Sequence, residues 1–428
     1  MTAATQAPVD SGARGDEVRI GIALSAMGFV LAGLGACVAI LARDLDEPTG
    51  RLALLSSGFA VGLLVVALIG PRLLRSWSIP TAMALGSVVC AFGAVLIAVA
   101  PAYAVVIAGT LCVGLGGAML TLVAPLMLNG PTAAVRLSRV NAVASGAGIL
   151  APLTIGALDG LGPSGRLAML AAAPPLLLLA VLTRRSIPVR PATPAVGRRV
   201  DQPFRQVDGR VEQPVAVLID SAPAVGLGRK WRGRVGRQVV VDVGIGWLRV
   251  VLSVSVEFCF VVWAVARLVA TGLPTATAAL LGSAFPIGMA AGRAIGPIRW
   301  RNWSPVLPSG ALAACGTLMV SLFDSPAIVA LGLVVAGLGV APLYPVTLAA
   351  LVATPGLSSA RLSAVGALAS GTAILLAPAI LAVLARVVDL RTAYLVTLPL
   401  IAILFLLSRR SGRTSFVWGV RRPDRRMR

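Results

Sequence analysis

Not one of the 428 residues is histidine. That absence removes Ser-His-Asp and Cys-His nucleophile systems, H-E-x-x-H zinc sites and a histidine proton relay together. Nor does a G-x-x-x-x-G-K-[ST] loop occur, so ATP bound by this chain is not expected to supply energy. Five cysteines, Cys37, Cys90, Cys112, Cys259 and Cys315, fall on five different apolar runs without a C-x-x-C pair, which points to core packing rather than a disulfide or a metal site. No catalytic residue, cofactor or metal ligand is therefore assigned, and a carboxylate- or lysine-based lipid-modifying enzyme is the one chemical alternative. Charge is scarce as well: 12% of residues are charged, where a soluble domain has roughly 25%.

What fills the chain is apolar side chain, 57% of residues, with a mean hydropathy of +0.92, so lipid is the expected solvent. Apolar runs lie at 19–42, 52–71, 79–99, 103–127, 138–158 and 165–183, then at 239–266, 275–295, 305–323, 326–350, 361–385 and 391–408. A run of about 20 residues crosses roughly 30 Å of hydrocarbon as a helix. Barrel strands would alternate and be about half as long, so the expected fold is an all-α membrane protein with twelve transmembrane helices.

The net charge of +21 would suggest nucleic acid in a soluble protein. Here the basic residues sort by side, and no aromatic-interleaved basic groove accompanies them, so nucleic acid is not an expected partner. With both ends cytoplasmic, the inner segments hold 30 Lys/Arg and the outer turns hold six, with Arg249 inside the seventh run. That bias predicts a multi-pass protein of the plasma (inner) membrane with cytoplasmic termini. The division expected is a tail at 1–18, a six-helix bundle at 19–183, a basic linker at 184–238, a second bundle at 239–408 and a basic tail at 409–428. The linker has twelve basic and four acidic side chains. It buries too little to fold alone and is expected to lie, like the tail, against anionic inner-leaflet lipids. No short apolar core with a cleavage site precedes helix 1, so a removable signal peptide is not expected.

The two bundles read as copies of one unit. Ile69-Gly70-Pro71, Arg75 and Trp77-Ser78 return as Ile295-Gly296-Pro297, Arg301 and Trp303-Ser304, displaced by 226 residues. Arg136-Leu137-Ser138 and Ala144-Ser145-Gly146 return as Arg361-Leu362-Ser363 and Ala369-Ser370-Gly371, displaced by 225. Arg, Trp, Pro and Ser at fixed offsets are poorly explained by chance overlap of Ala and Leu. Two parallel six-helix repeats, a long basic central loop and inner termini resemble the major facilitator superfamily. In that family the turn after helix 2 has a Gly, three residues, Asp-Arg, then a second Gly. This chain keeps Gly70 and Arg75, echoed by Gly296 and Arg301, but has Leu74 and Trp77 in place of the Asp and the second Gly. Helix 5 matches better, with Gly146, Gly148, Pro152 and Gly156 spaced as in family antiporters and answered by Gly371 and Pro378. Helix 4 departs: Thr110 precedes Gly114-Leu115-Gly116 where the family often has Arg.

Charged residues inside the runs converge on the seventh, at Asp242, Arg249 and Glu257. A charge at that depth costs on the order of 3 kcal/mol or more, so an embedded Glu faces a partner or a watery cavity. Asp242 and Arg249 are seven apart and nearly eclipsed on a helix, whereas Arg249 and Glu257 are about 12 Å apart along the axis and roughly 80° apart around it. Arg249 is thus expected to pair with Asp242 and leave Glu257 available for substrate or proton, with a structural partner for Glu257 as the alternative. The resemblance implies a cavity lined by helices 1, 4, 7 and 10, with Phe29, Thr110, Thr121, Ser253, Glu257, Trp263, Tyr344 and Thr347 as candidates. Such an apolar, aromatic wall with one acid suits a small hydrophobic or amphiphilic solute, a cation among them. The expected function is secondary transport by alternating access, as proton-coupled export by a monomer with protons as the candidate coupling ion. Uptake or facilitated diffusion of a metabolite is the alternative, and a non-transporting receptor or assembly factor is the alternative of another class.

Overall fold

In the computed structural model residues 9–48, 55–128, 133–185, 229–295, 305–357 and 359–410 are described. Among them there is helix and no strand. The first half runs α1 (Val9–Leu45), α2 (Leu55–Ser76), α3 (Ile79–Val99), α4 (Tyr103–Met127), α5 (Ala133–Gly160) and α6, a 3-10 stretch (Gly165–Ala172) passing into Ala173–Arg185. The second runs α7 (Arg229–Val269), α8 (Thr275–Gly282 with Ala284–Ile295), α9 (Val306–Leu322), α10 (Pro326–Val340 with Leu343–Val352), α11 (Ser359–Val387) and α12 (Leu390–Ala393, Tyr394–Val396, Thr397–Arg410). Ten spans are long and apolar enough to cross a membrane, and two shorter apolar helices, Leu55–Ile69 and Val306–Leu322, complete the twelve. Large apolar side chains such as Leu68, Val143 and Val383 stand exposed on the outer faces, as a hydrocarbon solvent requires. The ends of the described chain, Val9 and Arg410, lie at one end of the molecule, the terminal end, because twelve spans are an even number.

Two spans expected to be continuous are interrupted, and proline is the cause each time. Pro286 cannot donate to the Gly282 carbonyl and its ring crowds it, so α8 breaks at Ser283. Pro342 does the same to α10, which restarts at Leu343. Pro152 and Pro378, by contrast, lie inside unbroken α5 and α11.

The duplication is written into the helix contacts. In the first half α1 packs on α5, α2 on α4, and α3 on both α4 and α6; in the second α7 packs on α11, α8 on α10, and α9 on both α10 and α12. Adding six to each number converts one set into the other. The halves meet through α1–α7, α2–α11 and α5–α8, a set that also maps onto itself. A two-fold relation between parallel six-helix repeats produces this pattern. The close contacts agree residue by residue. A Cβ on Gly93 would lie 2.6 Å from the Gly109 carbonyl oxygen, and one on Gly316 would lie 2.6 Å from that of Gly332. Gly114 abuts Phe59 as Gly337 abuts Phe285. Gly93, Gly109, Gly114 and Gly116 answer to Gly316, Gly332, Gly337 and Gly339, each 223 residues on. These seams let helix backbones touch where lipid gives no hydrophobic drive between helices. Leu at Gly93 or at Gly316 should therefore destabilise the protein alike, by about 1–3 kcal/mol or more from overpacking. Leu at Gly146, where a Cβ meets nothing within 4 Å, should not. Melting curves of the three purified variants check this, and a tolerant Gly316→Leu beside an intolerant Gly93→Leu would break the equivalence.

Candidate functional site

Small residues decide where the halves touch and where they part. Gly35 of α1 lies directly against the Val261 carbonyl of α7. A Cβ on Gly156 of α5 would stand 2.7 Å from the Ala276 carbonyl oxygen of α8. Both contacts lie away from the terminal end. Among α1, α5, α7 and α8 lies a cavity of about 120 Å³ that reaches from Ala36 and Gly282 to Ala144 and Arg293. Its walls are Gly28, Ala144, Gly148, Pro152, Val261, Phe285, Pro286 and Met289, and its polar groups are Ser145, Glu257 and Arg293. Phe260 stacks on Phe285 at 5.4 Å between ring centroids, which makes one wall aromatic.

Glu257 faces a guanidinium. Its Oε1 lies 3.7 Å from a terminal nitrogen of Arg293, an ion pair without a hydrogen bond. The other terminal nitrogen of Arg293 donates to Ser145 Oγ at 2.6 Å, so this side chain of α8 ties the second half to α5 of the first. By sequence alone Arg293 counts with the basic turn after the eighth run, and Ser145 only as part of a repeated string. The duplication marks the spot: Ser145 answers to Ser370, but at the displacement of 226 Arg293 answers to Ala67. A cation gained by one copy inside an apolar run was the available signal.

The other side chains singled out from the sequence fall elsewhere. Arg249 does not meet Asp242: its guanidinium reaches the Leu407 carbonyl on α12, while Asp242 accepts from Gln238 Nε2 at 3.2 Å. Near eclipse on the wheel was outweighed by a carbonyl within reach on the neighbouring helix. Thr110 is buried against Gly58 of α2 and donates to the Ile107 carbonyl. Ser253 and Thr347 share a hydrogen bond of 3.0 Å between α7 and α10, and Trp263 Nε1 donates to the Pro378 carbonyl at 3.3 Å. Thr121 bonds carbonyls of its own helix. Phe29 is part of the packed core. Tyr344 stands beside Ser370, within electrostatic reach of Glu257. Of the motif residues, Gly148 and Pro152 line the cavity. Gly70 and Arg75 fall in the last turns of α2. Gly296 and Arg301 lie outside the described residues, as do 186–228 of the linker and 411–428 of the tail.

A second polar cluster shuts the opposite end. Arg43, near the end of α1, donates to both carboxylate oxygens of Asp159 on α5, at 3.0 and 2.7 Å, and to Thr275 Oγ1 at the start of α8, at 3.0 Å. Thr275 in turn lies 3.2 Å from Asp159 Oδ2. Asp159 is buried, its side chain 3% exposed, and also accepts from the Gly165 amide at 3.2 Å. The tie joins the first half to the second across the mouth that the glycine contacts narrow. Within the second half Arg267 donates to the Val320 and Phe323 carbonyls and pairs with Asp324, which Arg391 also meets.

A family model described as Major Facilitator Superfamily matches residues 20–355. No curated protein matches the chain by sequence. Among solved structures it is similar to a bacterial homologue of the human lysosomal transporter Spinster in an inward-facing, unoccupied conformation. That likeness has 12% identity over 94% of this chain and 98% of the other, with a TM-score of 0.66. It is similar also to the nucleoside transporter NupG, at 13% identity over 92% and 99% with a TM-score of 0.65. The E. coli fucose:proton symporter FucP follows at 17% identity over 92% and 99%, with a TM-score of 0.55. At these identities the likeness is one of fold.

Proposed function

The chain belongs to the Major Facilitator Superfamily, and from that premise we propose that it carries a small amphiphilic solute across a membrane by alternating access, binding it in the Glu257–Arg293 cavity and coupling its passage to protons through Glu257. One observation carries the reading. A cavity between the halves holds an embedded carboxylate among apolar and aromatic walls, and the Arg43–Asp159–Thr275 tie lies at the end opposite Arg293. Such a site at the junction of two repeats is where a rocking carrier binds its load. The family is one of transporters, and no enzymatic chemistry is proposed.

The excess of basic residues, 30 against six, supports cytoplasmic termini in the plasma (inner) membrane, with the basic linker and tail against anionic lipid headgroups. The Arg293 end of the cavity is then the cytoplasmic one. A monomer suffices, since both halves of the site lie in one chain. Export with proton return is the mode the sequence favours, and it requires solute and proton to compete for Glu257. The Glu257–Arg293 pair supports a further reading beside uptake or facilitated diffusion, in which solute and proton move together, because protonation of Glu257 releases a cation for the solute. Flux in proteoliposomes tests the class: an imposed pH gradient should drive solute movement that is absent from protein-free vesicles. Protein that binds solutes in this cavity yet moves none under any gradient would return the chain to a receptor role.

A further inference from the structure

Resting on the transport reading above, we propose that the solute bears one singly charged anionic group, a carboxylate, which takes Arg293 from Glu257 as Glu257 takes up a proton. The geometry of the pair is the ground for this. At 3.7 Å the two side chains attract without sharing a hydrogen bond, and Glu257 accepts none from the described residues. Arg293 commits a single hydrogen bond, to Ser145, so most of the donors of its planar fork remain for an oxyanion that can meet them two at a time. Its side chain is 37% exposed, whereas that of Glu257 is 14% exposed and lies deeper. An entering anion therefore meets the guanidinium first.

Charge balance fixes the rest. With Glu257 ionised the pair is neutral, so an anion added alone would leave one negative charge without a partner in an apolar cavity, an unfavourable state. Adding a proton with it restores neutrality: the carboxylate of Glu257 becomes a neutral acid, and the solute oxyanion becomes the partner of Arg293. Among the described residues the charged or titratable groups facing Glu257 are Arg293 from α8 and Tyr344 from α10. The cavity linings from α1 and α5 bring no charge, only Ser145 and apolar groups. Arg293 stays protonated, so Glu257 is the group able to balance the anion. A cationic solute at Glu257 would have the Arg293 guanidinium beside it. Phe260, Phe285 and Met289 offer the apolar body of the solute its surface. By reciprocity the anion raises proton affinity by the same factor as the proton raises anion affinity.

The test uses purified full-length protein in nanodiscs and matched probes: indole, phenylpropyl and decyl bodies, each carrying a carboxylate, an ammonium or a hydroxyl. At mildly acidic pH the carboxylates should bind about tenfold or more tightly than their partners, a coupling of ordinary size, and should weaken as the pH rises. Arg293→Gln should erase the carboxylate preference, Arg293→Lys should keep part of it, and Glu257→Gln should keep the preference but lose its pH dependence. Melting of each ligand-free variant shows that it is folded. A panel in which carboxylates do not lead, including one in which nothing binds, overturns the proposal. Ammonium probes that lead in the parent protein and fail in Glu257→Gln would overturn the anion and leave the transport reading intact. Carboxylate binding that still follows pH in Glu257→Gln would overturn the exchange of partners and remove Glu257 from coupling.

Discussion

Protein with Glu257→Gln should fold, reach the membrane and let solute run down its own gradient, while accumulation driven by a proton gradient falls to background. Glutamine keeps the shape and the hydrogen-bonding ability of the side chain but not its change of charge. No neighbour can take over the role: histidine is absent from the chain, and Arg293 and Arg249 remain protonated. The variant also relieves Arg293 of its carboxylate partner, so solute binding is expected to persist, and the loss should appear in coupling. Counterflow exchange and pH-driven uptake, measured on the same proteoliposomes, separate the two. Accumulation of parental size by Glu257→Gln under a pH gradient would make the Glu257–Arg293 pair a structural one.

Arg43→Ala and Asp159→Asn should each open the far mouth of the cavity. Removing one partner of a buried pair leaves the other without compensation, at about 3–5 kcal/mol for full burial. Asp159 is nearly buried but Arg43 is 48% exposed, so about 1–3 kcal/mol is a fitting expectation, roughly a 5- to 150-fold shift in the balance between closed and open mouths. Ala36 lines the cavity beneath this tie, and Leu161, 81% exposed, stands beyond it. Cysteine at Ala36, with the native cysteines replaced, should react with an impermeant thiol reagent added outside about tenfold faster or more when either tie residue is changed, within that same range. Cysteine at Leu161 should react throughout. Unchanged reactivity at Ala36 would deny the tie a gating role, and silence at Leu161 in intact cells would reverse the proposed orientation.

The sequence carried the architecture because each level of the fold left a local mark. Twelve apolar runs became twelve spans, and the strings around Gly70 and Arg136 announced two copies. The register of the glycine seams was legible too, in Gly109, Gly114-Leu115-Gly116 and Gly332, Gly337-Leu338-Gly339. It was hidden by a slip to 223, since the second copy loses three residues between Ser304 and Ser309. The breaks in α8 and α10 were announced by Pro286 and Pro342, which hydropathy windows average away. Partners were harder. A wheel drawn on α7 places Arg249 against Asp242 but knows nothing of the Leu407 carbonyl on α12. The repeat marks Arg293 as a cation gained, but its partners follow from topology, since only the packing of α5, α7 and α8 brings residues 145, 257 and 293 together.

The two flanks on which the halves meet, equivalent by the repeat, are built of different stuff. On one, Leu64 of α2 is wedged into Gly371 of α11, where a Cβ would stand 2.6 Å from its Cδ2. On the other, α5 is fastened to α8 near both ends by hydrogen bonds, Asp159 with Thr275 and Ser145 with Arg293. Interlocked hydrocarbon has nothing to exchange with a passing ion, whereas a hydrogen bond can be surrendered to a solute oxygen and recovered afterwards. On the proposed transport reading, the α2–α11 flank is expected to stay packed as a spine while the α5–α8 flank opens and closes like a clasp. Solute and water are then expected to pass on the α5–α8 side, past the hydrogen bonds that Ser145 and Asp159 make.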